Sequence, residues 1–386
     1  MMLGFLLARQ GIDVVVLEKH KDFFRDFRGD TVHPSTQQVL YELGILDDFL
    51  SMPHQEIQQA RVTIGGEEFT VADCSRLPTQ SKFIALMPQW DLLNFLARHA
   101  AQYPSFKLLM EHNVTELIEQ GGRIVGAHAE TPNGPVEVRA KLTVGCDGRH
   151  STSRAVSRLK IHEKGVPIDV LWLRLSKHAS DPKSSLGNIN PGGVIVLIDR
   201  ADYYQTAVII AKDTFETQIK PAGLEAFHQR IVSITPFLAD RVAEITSWDQ
   251  VKLLSVQINM LDRWHLPGFL CIGDAAHAMS PVGGIGINLA IQDAVAAANI
   301  LAKPLRSSIV TEFTLAHVQH RRELPTRLTQ QFQVAAHRVL QRILTSSAPV
   351  KPPAILRFLS ARPVFHRLAA RFIGLGLRPE HISQNH

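Results

Sequence analysis

The 386-residue sequence has only three cysteines, Cys74, Cys146 and Cys271. An odd count rules out complete disulfide pairing, and their separations match no metal-ligand spacing, so no metal site is assigned. They read as buried thiols in a reducing cytoplasm, two of them inside apolar strand-like runs. No stretch reaches the ~18 consecutive apolar residues of a membrane span. The N-terminus also lacks a basic flank ahead of an apolar core, as a secretory leader would show. The expected location is therefore the cytoplasm. Basic residues exceed acidic ones only to a net charge of +5. Because no run of them is interleaved with aromatics, a nucleic-acid groove is excluded. Internal repeats and low-complexity segments are missing too. What remains is a chain with 45% hydrophobic residues, enough for a large core and, at ~100–200 residues per domain, two or three structural units.

The stretch around which the chain is organised runs from Leu270 to Leu301. Leu270-Cys271-Ile272 reads as a strand that ends in Gly273-Asp274-Ala275-Ala276-His277. Ser280-Pro281-Val282-Gly283-Gly284-Ile285-Gly286-Ile287-Asn288 follows as a glycine-rich turn opening a small-residue helix. A carboxylate and several backbone N–H groups thus converge at one strand-to-helix edge, which suits a ligand with hydroxyls and an anionic group. Gly273 lets the chain turn so that Asp274 can accept from a sugar-like hydroxyl, and Gly283, Gly284 and Gly286 let a flat ligand approach the main chain.

At these residues the chain resembles the class A FAD-dependent aromatic monooxygenases, the para-hydroxybenzoate hydroxylase-like family. The resemblance implies that Asp274 contacts the ribityl chain and that Pro281, Gly284, Gly286, Ile287 and Asn288 line the flavin, with Pro281 and Gly284 as the catalytic residues beside its reactive edge. It also implies that NADH or NADPH reduces the flavin, that dioxygen adds to give a C4a-hydroperoxide, and that one oxygen passes to an aromatic, phenolic or polyketide-like substrate. Flavin halogenases of related fold would need a Trp-x-Trp-x-Ile-Pro stretch, which this sequence lacks.

Taken in order, Leu3 to Gln10 reads as a buried helix, Gly11 as its stop, and Val14-Val15-Val16-Leu17 as a β-branched strand ending in Glu18. That is the second half of a βαβ nucleotide-binding unit, where a carboxylate ~20 residues past the phosphate-binding glycines holds ribose hydroxyls. The Gly-x-Gly-x-x-Gly turn itself would lie just before Met1. Two readings stay open: a product that begins further upstream, or a truncation that holds FAD weakly. In either case a sheet without its first strand is expected to leave unpaired edges and an exposed apolar helix. Arg28 follows the ribose strand, where the resemblance implies contact with the FAD phosphates, and Ser35 is a candidate helix cap. A hairpin around Gly65-Gly66 leaves the parallel unit. The chain then returns through a helix after Pro88, where the resemblance gives Gln89 a place near the ribityl or phosphate region.

Strands alternate from 106 to 145 and end in Asp147-Gly148 with Ser151-x-x-Arg154, a second acid-bearing turn. The resemblance puts this turn near the pyrophosphate and the approach of the nicotinamide nucleotide. From about 160 to 258 strand-forming residues dominate, with a helix near Leu224 to Thr235. Phe313 to Ala336 reads as a long helix, kinked at Pro325, with His320, Arg321, Arg322 and Glu323 on a solvated face. A basic amphipathic segment around Arg362 to Leu377 could lie on a membrane surface or pack on the protein.

The expected fold class is α/β: an FAD/NAD(P)-binding Rossmann-like three-layer domain with an inserted mixed or antiparallel β-sheet substrate domain and C-terminal helices. The FAD-binding part takes 1–56, 88–158 and 259–325, the substrate sheet 57–87 and 159–258, and the C-terminal helical segment 326–386. The cofactor-binding residues expected are Glu18, Arg28, Gln89, Asp147, Gly148, Gly273, Asp274, Pro281, Gly283, Gly284, Gly286, Ile287 and Asn288. The expected partners are an aromatic small molecule and dioxygen. Two alternatives stand beside this reading: a flavin-dependent oxidoreductase that does not oxygenate, and a truncated protein that binds no flavin.

Overall fold

A computed structural model describes residues 1–24, 31–181, 187–200, 202–307, 310–345, 352 and 354–383. The expected phosphate contact Arg28 lies outside the described residues. Within them are the helices α1 (Met2–Ala8), α2 (Pro34–Glu42), α3 (Leu46–Leu50), α4 (Gln89–Ala100), α5 (Thr152–Ser157), α6 (Lys220–Ile234), α7 (Gly286–Arg306), α8 (Glu312–Thr345), α9 (Ala354–Ser360) and α10 (Pro363–Gly374).

The β-branched run Val14–Leu17 forms a strand and pairs in parallel with Phe106–Leu109. A second parallel ladder joins Thr143–Gly145 to Phe269–Cys271. The two ladders belong to separate sheets. Gly4 permits the close approach of α1 to the first ladder, because a Cβ there would meet Val16 Cγ2 at 2.9 Å. Every residue of α1 is buried, contrary to the exposed helix expected. Packing explains the difference: Met2, Leu3, Phe5 and Leu6 share one core with Leu96 of α4 and Val295 and Leu301 of α7.

The second unit is a seven-stranded sheet. Its order is Lys252–Leu254, Ile168–Ser176, Tyr203–Ala211, Gly193–Asp199, Gly187–Asn190, Gln59–Ile64, Glu67–Asp73. Side chains of a strand alternate between faces, and Ile168–Ser176 uses both. Leu171, Leu173 and Leu175 pack with Phe227 and Ile231 of α6, while Ile168 and Val170 pack with Leu340 and Ile343 near the end of α8. The hairpin expected around Gly65-Gly66 is this sheet's edge, with both glycines at positive φ, +58° and +85°.

Three expectations need correction. Ser35 lies inside α2, whose N-cap is His33; Pro34 takes the first helical position because it has no N–H to leave unpaired. Cys146 is exposed at the end of its strand, whereas Cys74 and Cys271 are buried. Arg322 is 1% exposed, not solvated, because it answers two buried carboxylates described below. Among the described residues one helix, Val282–Arg306, is long and apolar enough to cross a membrane by length and composition, and it is 72% buried over its apolar window, as befits the core helix α7.

Candidate functional site

The two acid-bearing turns meet. Arg149 Nη2 lies 3.7 Å from Asp274 Oδ2, with the two side chains 26% and 29% exposed. Arg154, on α5, ties the same turns through their backbone: Nη1 donates to Ala275 O at 3.1 Å and Nη2 to Arg149 O at 2.7 Å. The sequence pattern singled out Arg154 without a role and overlooked Arg149. Its position directly after Asp147-Gly148 was the available signal.

Asp147 itself is committed to its own turn. Its Oδ1 accepts from Ser151 Oγ at 2.5 Å and from Ser153 Oγ at 2.9 Å, and its Oδ2 accepts from Ser153 N at 2.8 Å. Ser151 then caps α5 by accepting from Arg154 N. Asp147 therefore shapes the loop that presents Gly148 and Arg149. A Cβ on Gly148 would meet nothing within 4 Å. Arg149 Nη1 is buried with no hydrogen-bond partner among the described residues. A half-open carboxylate, a spare guanidinium donor and an uncovered glycine fit a ligand that carries hydroxyls and phosphates.

Glu18 closes the adjoining end. It follows the strand Val14–Leu17, is half-buried, and accepts from His20 N at 3.0 Å. Met1, half-buried at the start of α1, interacts electrostatically with both Cys146 and Glu18, which brings the Glu18 carboxylate toward the strand end that leads into Asp147-Gly148. Gln89 is the half-buried first residue of α4.

The glycine-rich turn is held from two sides. Gly283 and Gly284 have φ of +82° and +64°. A Cβ on Gly284 would meet Thr31 Oγ1 at 2.3 Å. Thr31 Oγ1 and His33 Nε2 both bond Gly284 O, at 2.9 and 3.1 Å. Asn288 points into the protein, where Oδ1 accepts from Ser35 and Thr36 hydroxyls at 2.8 and 2.6 Å. From the other side, α8 supplies Gln333, which accepts from Ser280 N and donates to Ser280 O and Val282 O. His337 adds a 2.7 Å contact to Ser280 Oγ. Pro281, Gly286 and Ile287 remain half-buried. The first N–H groups of α7, a 21-residue helix, lack intrahelical acceptors and face this turn with the positive end of the helix dipole.

Behind the Gly-Asp turn lies a buried ionic cluster. Asp293 of α7 accepts from Gly273 N at 3.0 Å, contacts His277 Nε2 at 2.6 Å, and pairs with Arg322 Nε at 3.0 Å. Arg322 Nη1 reaches Glu380 Oε1 at 3.1 Å, and Arg321 Nε reaches the same oxygen at 2.8 Å. Burial pushes the Asp293 carboxyl up, but the His277 and Arg322 charges and the Gly273 N–H hold it below its ordinary value. His277 is thus a structural hydrogen-bonder, as its place in the turn suggested.

His33 and His337 are both buried, and burial lowers their pKa from 6.5 to about 4, with the Gly284 carbonyl opposing the shift at His33. A depressed histidine pKa means that the unfolded chain binds more protons between those values. Stability is therefore full above pH 6.5 and falls as pH drops toward about 4. Each imidazole contributes at most ~1.4 kcal/mol per pH unit inside that window. Urea midpoints measured across it should decline, and the decline should shrink in His337→Gln; a flat profile contradicts the burial.

A Rossmann-like unit in which an Asp-Gly turn, a Gly-Asp turn and a ribose-type carboxylate adjoin defines a dinucleotide-cofactor protein. The family model for the FAD binding domain matches residues 1–332. The 6-methylpretetramide 4-monooxygenase of Streptomyces rimosus is 31% identical over 97% of this chain and 89% of that protein. The rifampicin monooxygenase of Rhodococcus hoagii is 25% identical over 76% of this chain, which spans 60% of that longer protein. Solved structures with the same fold include the anhydrotetracycline hydroxylase OxyS of Streptomyces rimosus (TM-score 0.76, 19% identity, 97% of this chain and 73% of that one). The p-nitrophenol 4-monooxygenase PnpA of Pseudomonas putida DLL-E4 also shares it (TM-score 0.74, 20% identity, 96% and 91%). The chain belongs to the FAD binding domain family and is an FAD-dependent monooxygenase of the class A aromatic type, with NAD(P)H as co-substrate.

Proposed function

We propose that this protein hydroxylates a phenolic or fused polyketide-type aromatic ring. The observation that carries this reading is the likeness to 6-methylpretetramide 4-monooxygenase across 97% of the chain. It is supported by the seven-stranded sheet, whose strands lie within 59–73 and 168–254; we assign 57–87 and 159–258 as the substrate-facing unit, the FAD-binding part being 1–56, 88–158 and 259–325. FAD, when bound, supplies electron transfer and oxygen activation.

The chain's own residues do the rest. Asp274 accepts ribityl hydroxyls, Arg149 offers its spare donors to the pyrophosphate, Gln89 assists there, and Glu18 takes the ribose hydroxyls. Arg28 is assigned to the phosphates from the family pattern alone. Pro281, Gly283 and Gly284 would border the bound ring, and the N–H groups of Gly286, Ile287 and Asn288 would offer donors to its carbonyl oxygens.

The test is oxidation of NADH and of NADPH by FAD-loaded protein, with and without a panel of phenols and fused polyphenols under labelled dioxygen. Ring-stimulated oxidation with one labelled oxygen in the product is expected. Oxidation that yields peroxide alone with every ring, or proceeds without oxygen uptake, would overturn hydroxylation in favour of a non-oxygenating flavin oxidoreductase.

A further inference from the structure

From Leu324 to Pro379 the sequence carries nine lysines and arginines and no aspartate or glutamate. This stretch supplies most of α8 and all of α10. On α8, Leu324, Leu328 and Phe332 recur every fourth residue on one helix face, and all three are exposed. The Phe332 ring meets Phe372 of α10 at a centroid distance of 5.0 Å, edge to face, so the two helices present adjoining surfaces. α10 docks through its small residues: Ala370 and Gly374 are buried, and a Cβ on Gly374 would meet Leu77 at 3.0 Å. Its opposite side exposes Val364 (61%), Phe365 and Leu368 (58%).

Arg338, Arg342, Arg362, Arg367 and Arg371 are exposed on the same two helices or at their start. Among the described residues, the acids recorded against this region come from outside it or from its edge: Glu67 pairs with Arg357, Glu323 pairs with Arg327, and Asp73 interacts electrostatically with His366 of α10. Exposed apolar side chains want a phase to enter, and uncompensated guanidiniums want anions. A second copy of the chain would set cations against cations, and a nucleic acid would leave Val364, Phe365 and Leu368 in water. One surface that satisfies both demands is an anionic lipid leaflet, with the aromatic and aliphatic side chains in the acyl boundary and the arginines at the phosphates.

We propose that α10, with the adjoining face of α8, seats this protein on anionic membrane surfaces. This does not rest on the substrate assigned above.

The experiment is co-sedimentation of the full FAD-loaded protein with phosphatidylcholine vesicles, with and without phosphatidylserine. Binding only to the phosphatidylserine vesicles, released by high salt, is expected. At roughly fivefold per arginine, Arg367→Glu/Arg371→Glu should weaken binding at least ~25-fold. Phe365→Ser/Leu368→Ser should weaken it at least ~10-fold while leaving its salt dependence in place. Flavin content and NAD(P)H oxidation, both unchanged, show that the variants fold; if they do not fold, the lipid and salt dependence of the unaltered protein decides. Equal binding to both vesicle types, no binding, or charge reversal without effect overturns the proposal. So does a dimer in sedimentation equilibrium that Phe365→Ser/Leu368→Ser splits, since a second copy would then cover the face.

Discussion

Replacing Arg322 with alanine is expected to destabilise the protein by about 3–5 kcal/mol, a large part of the ~5–15 kcal/mol that holds a domain together. The guanidinium is buried and bridges Asp293 on α7 to Glu380 in the C-terminal tail, and also donates to Arg378 O at 2.9 Å. Glu380 keeps Arg321 when Arg322 is lost. Asp293 keeps only His277 and the Gly273 N–H, and a fully buried carboxylate would have shed its guanidinium partner. The cost is that of an uncompensated charge, not of one hydrogen bond. For this reason Arg322→Met/Asp293→Asn, which removes both charges and keeps the volume, should recover much of the loss. Urea unfolding of the two variants measures the difference. A loss in Arg322→Ala below about 0.5 kcal/mol, the range of ordinary surface substitutions, would mean the cluster does not form. Because Asp293 also fixes Gly273 N, the same variant should release FAD more readily than the unaltered protein.

That cluster marks the limit of what could be read from the residues alone. Both acid-bearing turns were legible, since each is a short local pattern whose glycines and carboxylates must lie together whatever the rest of the chain does. The hairpin at Gly65-Gly66, the strand at Val14–Leu17 and the helix after Pro88 were legible for the same reason. Arg322 was not. In the pattern His320-Arg321-Arg322-Glu323 it looks like one more charge on a polar helix face, and its partners stand 29 and 58 positions away. The burial of α1 is hidden in the same way: a short apolar helix looks unpartnered until α4 and α7 are seen to close over it. Asn288, in the first turn of α7, reads from the sequence as a flavin-lining residue, yet the structure turns its carboxamide oxygen toward Ser35 and Thr36. Polar residues in a glycine-rich turn announce a site, but whether each faces ligand or protein depends on elements far off in sequence.

Gln333 is the sharpest instance, because nothing in its surroundings on α8 distinguishes it from the glutamines at 330 and 331. It is fully buried and holds the glycine-rich turn, the one we propose as the flavin's border, through three backbone contacts, accepting from Ser280 N at 3.1 Å and donating to Ser280 O and Val282 O at 2.9 and 3.0 Å. Gln333→Leu keeps the bulk and removes all three. Each buried group left unpaired costs about 1–3 kcal/mol, and the turn can restore its bonds only by moving. A displacement near 1 Å at a catalytic edge can cost ~100-fold in rate. The expected result is product formation lowered by about 10- to 100-fold, while NAD(P)H oxidation continues and its electrons leave as peroxide. Ser280→Ala, which loses the contacts of its hydroxyl to His337 and Val282 N but keeps the Gln333 clasp on the backbone, should fall between this variant and the unaltered protein. The ratio of product to peroxide separates positioning from general damage: partial unfolding lowers both products together, whereas a displaced turn shifts one into the other. An unchanged ratio in Gln333→Leu would show that the turn holds its shape without α8.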